Sequence, residues 1–278
     1  MKKHVLCIDC PDQKGLVHKI TGVLFKHGLN VVNNGEFVDH AHNRFFMRTE
    51  FLGGPAENPG LDELKAVLPA EHNIRLVEQR PKNIVLMVTK EAHCLGDLLI
   101  RHAYDGLQAN ILAVIGNHDR LRPLVEKFGI PYHFISHEGL TRDEHERKVL
   151  ETLSGYAPEF IVLAKYMRIL SDSFIERYRH RMINIHHSFL PAFIGANPYR
   201  QAFERGVKVI GATAHLVTKD LDEGPIIAQS TIPVDHTHNA QDMAQAGMDV
   251  EKIVLANALK LLLDDRVFVY GNRTAIFG

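Results

Sequence analysis

Three short, almost wholly apolar runs, Ile84 to Val88, Ile111 to Ile115 and Phe160 to Leu163, narrow the possible folds of this chain more than any other feature. A strand that is apolar on both faces must be covered on both, and stretches with helical spacing lie between these runs to supply the cover. Residues 83–278 are therefore expected to form an α/β domain around a mostly parallel sheet. Further strands are expected at Met182 to His186, Lys208 to Thr218 and Ile226 to Val234, then a long helix from Ala240 to Leu263 and a short tail.

Residues 1–82 have a different rhythm. A strand at 4–10 is broken by Pro11-Asp12-Gln13-Lys14-Gly15, and Leu16, Val17, Ile20, Val23 and Leu24 recur at helical spacing before Gly28, placed where a helix-ending glycine belongs. Asn30 to Val38 and Arg44 to Leu52 read as a hairpin around residues 39–43, and a polar Gly/Pro-bearing stretch follows. Leu61 to Leu68 is a second amphipathic helix, Asn73 to Gln79 a last strand, and Arg80-Pro81-Lys82 a linker. The order β-α-β-β-α-β predicts helices packed on a mostly antiparallel sheet. With 278 residues, 45% of them hydrophobic, the chain can bury both cores.

Charge narrows the partners. Thirty-two Lys and Arg against 33 Asp and Glu leave a net charge of -1, so no overall field draws the chain to nucleic acid or anionic lipid, and neither is expected as a partner. No apolar run reaches spanning length, and the basic start meets Asp9, Pro11 and Asp12 before a signal core could finish, so a cytoplasmic protein is expected. Cys7, Cys10 and Cys94 cannot all pair internally and are expected as reduced thiols, and Cys7-x-x-Cys10 on a strand does not suit redox work.

Two polar clusters could carry chemistry. In Asn184-Ile185-His186-His187-Ser188-Phe189-Leu190-Pro191, strand alternation puts Asn184 and His186 on one face and Ile183 and Ile185 on the other. At the end of an inner parallel strand that face opens on the usual ligand crevice, although the same residues also suit a polar strand end capping its turn. The second cluster is His215 with Asp220-Leu221-Asp222-Glu223-Gly224-Pro225, whose tight turn could aim Asp222 back at the sheet or leave it an ordinary turn aspartate. Attack on a carbonyl needs a donor for the oxyanion, a proton carrier and a carboxylate to orient it; Asn184, His186 and Asp222 supply those types.

Asn184-Ile-His186-x-Ser188-x-Leu-Pro191, Gly195, Gly211-Ala-Thr-Ala-His215 and Leu221-Asp222-Glu-Gly-Pro-Ile-Ile resemble the signature of folate-dependent formyltransferases and formyl hydrolases, over residues 83–278. Within that superfamily, His186 to Phe193, His93-Cys94-Leu95-Gly96-Asp97-Leu98-Leu99 and the N-terminal unit together resemble the formyltetrahydrofolate deformylase family. Residues 1–82 resemble an ACT domain of ferredoxin-like βαββαβ order, with Asp12-x-x-Gly15-Leu16-Val17 at its first turn, and residues 83–278 a Rossmann-like formyltransferase domain.

The resemblance implies hydrolysis of 10-formyltetrahydrofolate to formate and tetrahydrofolate, supplying formate for purine biosynthesis and balancing the folate pools. It implies Asn184, His186 and Asp222 as catalytic residues, and folate contacts from Met167, Arg168, Ile169, Leu170, His215 and Gly224, although Met167, Ile169 and Leu170 also suit core packing. No cofactor and no metal are expected, the folate being substrate; a metal reading would recruit His186, His187, His215 and Asp222. A small amino-acid effector, glycine or methionine, and a homo-oligomer, a tetramer, are further implied. Lys165, where the family often has arginine, and Tyr178-Arg179-His180-Arg181, which lacks a usual glycine, depart from the pattern.

The loop Lys90-Glu91-Ala92-His93-Cys94-Leu95-Gly96 carries an acid, a thiol and a leucine where a phosphate cradle would be rich in glycine and serine, which favours water as acceptor. A formyltransferase to a small amine and an amino-acid-sensing protein without turnover are the rival readings. His40-x-His42 and His236-x-His238 read as turn and surface residues, and most remaining charges as solvated helix faces.

Overall fold

The computed structural model describes residues 3–53, 60–192 and 198–278. Most of the Gly/Pro-bearing stretch, together with Phe193 and Gly195, lies outside them. The chain divides into two compact units: the residues up to Arg80 with 264–270 and 275–278, and residues 81–263 with 271–274.

The first unit has the expected order: β1 (Lys3–Pro11), α1 (Leu16–Lys26), β2 (Asn30–Asp39), β3 (Arg44–Leu52), α2 (Leu61–Val67) and β4 (Asn73–Glu78). Its sheet runs β2-β3-β1-β4 with antiparallel neighbours throughout. Leu16, Ile20, Val23 and Leu24 of α1 and Leu64 of α2 bury against Leu6, Ile8, Cys10, Phe45, Met47 and Phe51 on one sheet face.

The second unit carries β5 (Lys82–Val88), α3 (His93–Ala103), β6 (Ala109–Gly116), α4 (Arg122–Glu126), β7 (Tyr132–Phe134), α5 (Arg142–Tyr156), β8 (Phe160–Leu163) and α6 (Asp172–Arg177). It continues with β9 (Met182–His186), α7 (Pro198–Glu204), β10 (Val209–Leu216), β11 (Ile226–Pro233) and α8 (Ala240–Leu263). The seven strands lie in the order β11-β10-β9-β8-β5-β6-β7. β9 to β7 in that order are parallel, and β10 and β11 extend the sheet antiparallel. Val85, Met87, Ala113, Ile161 and Leu163 pack with Val149, Leu153, Phe174 and Ile175 from α5 and α6, the cover that their doubly apolar strands require. From β5 the winding goes one way to β6 and β7 and the other way to β8 and β9, so the chain leaves the carboxyl ends of β5 and β8 in opposite directions and opens a crevice there.

The tail ends in β12 (Val267–Tyr270) and β13 (Arg273–Ile276). The sequence reading keeps it with residues 83–278, yet Phe268 and Ala275 pack with Val5, Cys7 and Phe46 on the other face of the first unit's sheet. The reason lies in β1, whose Val5 and Cys7 point away from α1 and need a cover of their own. Arg48 reinforces it, donating to the carbonyls of Asp265 (3.0 Å) and Asp264 (2.7 Å).

Candidate functional site

The carboxyl end of β9 delivers Asn184 and His186 on one face. Beside it, antiparallel β10 sets His215 opposite Asn184 and Thr213 opposite His186. His215 Nδ1–H donates to the Leu216 carbonyl at 2.9 Å, which leaves its Nε2 as an acceptor 3.3 Å from Asn184 Nδ2. The amide of Asn184 is thereby held, with its second hydrogen still available.

Asp222 arrives from the turn between β10 and β11 with φ +59°, a left-handed backbone that aspartate tolerates better than most residues. Its Oδ2 lies 3.1 Å from His186 Nδ1 and its Oδ1 3.6 Å from His215 Nε2. Burial by itself would raise the carboxyl's pKa, but the hydrogen bond from His186 and its charge outweigh burial and hold Asp222 well below the usual carboxylate range. With Nδ1 committed to Asp222, the Nε2 of buried His186 has no hydrogen-bond partner among the described residues. His187 stacks on His186 at 5.0 Å, and burial, then the charges of Lys165 and His186, push its pKa down to about 4.

These residues line a cleft of about 570 Å³. Met167, Arg168, Ile169 and Leu170 line it too; Met167 and Ile169 are 55% and 62% exposed, so they are not core residues, whereas Leu170 also belongs to the core behind. Gly224 is placed differently. It is buried and absent from the described lining, and a Cβ there would stand 1.8 Å from the Leu216 carbonyl oxygen, so it lets the Asp222 turn approach β10.

Other residues of the site escaped the sequence reading. Thr213 donates to the Ser188 carbonyl (2.9 Å) and accepts from the Leu190 amide and from Gln229, clamping the turn after His186. Its position opposite His186 in the sheet could not be read locally. Glu91, Lys165, Tyr199 and Glu251 form a further stretch of the lining. Glu251, grouped with the solvated helix charges, is fully buried, and a signal existed: it interrupts the stripe Gly247, Val250, Val254 and Ala258 on α8.

Among the described residues, the ligand atoms of His93, Cys94 and Glu251 lie within 4.8 Å of one another, a set different from His186, His187, His215 and Asp222. Lys165 Nζ stands 3.2 Å from Glu251 and already supplies a positive charge there. The three cysteines are buried and in no disulfide, and His238 pairs with Asp235 at the surface. No helix among the described residues is long and apolar enough to cross a membrane.

The chain is similar to known proteins along its whole length. A family model described as formyl transferase matches residues 82–259, and one described as ACT domain matches residues 4–69. A formyltetrahydrofolate deformylase of Haemophilus influenzae is 57% identical over 276 residues, 99% of each chain. The chain belongs to the formyltetrahydrofolate deformylase family. A crystal structure of the deformylase from Pseudomonas syringae superposes with a TM-score of 0.96 at 38% identity, covering 100% of this chain and 95% of that one. The deformylase fold also shares its second unit with transferases: a glycinamide ribonucleotide transformylase structure from Symbiobacterium toebii has a TM-score of 0.66 at 28% identity, covering 71% of this chain and 95% of that one.

Proposed function

We infer that this deformylase hydrolyses 10-formyltetrahydrofolate to formate and tetrahydrofolate at the crevice beyond β5, β8 and β9, with Asn184, His186 and Asp222 acting on the formyl group. The observation that carries the assignment is the pairing of His186 Nδ1 with Asp222 at 3.1 Å, which turns the partnerless Nε2 into the free functional edge of the ring.

Water attacks the formyl carbon, and negative charge develops on the formyl oxygen. The free amide hydrogen of Asn184 and a proton on His186 Nε2 meet that charge. An ionised Asp222 stabilises the charged imidazole and orients the attacking water. The C–N10 bond then breaks, N10 takes up a proton, and formic acid leaves as formate after losing its own. His215, buried behind Asn184, orients the amide. Met167 and Ile169 offer an apolar surface to the pterin, with Arg168, Leu170 and backbone groups completing the folate wall. These groups suffice for the chemistry without a cofactor or metal.

The first unit acts as the regulatory domain, binding a small amino acid and joining chains into a homo-oligomer, a tetramer. A cytoplasmic setting suits three thiols that form no disulfide and a water-soluble folate, and the formate released would feed purine biosynthesis. Incubation of the full chain with 10-formyltetrahydrofolate alone tests the central reading. One formate per tetrahydrofolate supports it; no formate in the absence of an amine refutes it.

A further inference from the structure

Part of the cleft lining is built from charge that the hydrolytic steps do not use. Glu251 accepts from His93 Nε2 (2.7 Å) on Oε2 and from the Tyr199 hydroxyl (2.6 Å) on Oε1, and Lys165 Nζ stands 3.2 Å from Oε2. The side chains of Lys165 and Glu251 are 5% and 1% exposed. Lys165 Nζ also lies 3.6 Å from Glu91 Oε2, tying in the loop after β5. The group adjoins the catalytic residues through His187, whose ring stacks on His186 and lies 6.2 Å from that of Tyr199.

Two features of the backbone seat this group. Lys165 has φ +64°, a conformation that costs a residue with a side chain about 1 kcal/mol or more. Gly247 on α8 lies so near Tyr199 that a Cβ would come within 2.1 Å of its hydroxyl oxygen. A buried ion pair seldom repays its own desolvation, so stability does not account for a strained lysine and a missing side chain maintained around one. What the arrangement does achieve is to fill the lining next to His186 and His187 with groups already engaged with one another.

We propose that Lys165, Glu251 and Tyr199 are the acceptor-specificity determinant of this deformylase: they occupy the part of the cleft an amine acceptor would need and leave entry to water alone. The proposal rests on the hydrolase reading above. An amine would follow the same course as water, its nitrogen bonding to the formyl carbon and shedding one proton while the C–N10 bond breaks and N10 gains one. No oxidant or further reactant enters, so room and free partners for the acceptor decide between the two outcomes.

The test compares the full-length wild type with Lys165→Gly and Lys165→Gly/Glu251→Gln, given 10-formyltetrahydrofolate with and without glycinamide ribonucleotide. Glycine accepts the left-handed backbone, and the double variant leaves no buried carboxylate uncompensated. Formate and formylated amine are counted per tetrahydrofolate. The wild type should release one formate with or without the amine. In the variants the ratio of formylated amine to formate should rise about 10-fold or more, the scale on which a pocket discriminates by size. Variants that turn over and still release one formate per tetrahydrofolate with amine present would overturn the proposal. So would folded variants yielding neither product, which would make Lys165 part of the hydrolytic machinery. Should both lysine variants fail to fold, Tyr199→Phe carries the same expectation with a smaller rise, and an unchanged ratio there overturns it. A wild type that makes no formate without amine is a separate result, defeating the hydrolase reading itself.

Discussion

The imidazole of His186 and the carboxylate of Asp222 meet at 3.1 Å although one ends a strand and the other sits in a turn with left-handed backbone. Asparagine tolerates that backbone as aspartate does, so Asp222→Asn should fold with wild-type circular dichroism while losing the charge that supports a protonated His186. Formate release should fall at least about 100-fold. Turnover near the wild-type rate would remove Asp222 from the mechanism.

Asn184 and His186 emerge side by side from β9 and line the same cleft, one with an amide hydrogen to give and the other with an Nε2 that has no hydrogen-bond partner among the described residues. Asn184→Ala and His186→Ala should each lower kcat by about 100-fold to 1000-fold. Groups that act on one oxyanion lose their effect together, so the double variant should fall well short of the product of the two. Single-turnover formate assays give the comparison, and full multiplicativity would argue for separate roles.

His187 links pH to stability. Its folded pKa is depressed to about 4, so as pH falls the unfolded chain takes up the proton first. The stabilisation that neutral His187 carries is complete above its ordinary value near 6.5 and is lost progressively toward about 4, an effect of up to about 3 kcal/mol. Asp222 and Glu251, also depressed, act with the same sign at lower pH and are common to both proteins. Between about pH 7 and about pH 4.5, the urea midpoint of His187→Gln should therefore fall less than that of the wild type. Parallel curves would contradict this.

Phe268 is buried in the first unit, its ring 5.6 Å from that of Phe46 in an edge-to-face contact. Phe268→Ala should destabilise that unit by about 3 kcal/mol or more, seen as faster amide exchange along β1 and an earlier denaturation step. A tail that merely trails over the surface would leave both unchanged.

Much of this was legible locally. The doubly apolar runs at Ile84 to Val88 and Phe160 to Leu163 announce strands buried on both faces, and alternation alone puts Asn184 and His186 on a common side. The motif around Asp222 pointed to its partners before any distance was known. Each of these is a short-range property, recorded in residues a few positions apart.

The rest depends on which distant segments become neighbours. The local sequence says that β1 is apolar on both faces but not that Phe268, from the far end of the chain, covers one of them. β7, three residues long, is too short to carry a pattern. Lys165 stood out only as a departure, and Glu251 as one more helix charge, because a charge looks solvated until something arrives to neutralise it. Periodicity and motif were enough for the elements and for singling out Asn184, His186 and Asp222 as candidates; the ion pair beside them arises only when the segment after β8 meets α8, since burial and electrostatic compensation belong to pairs of residues and not to either one.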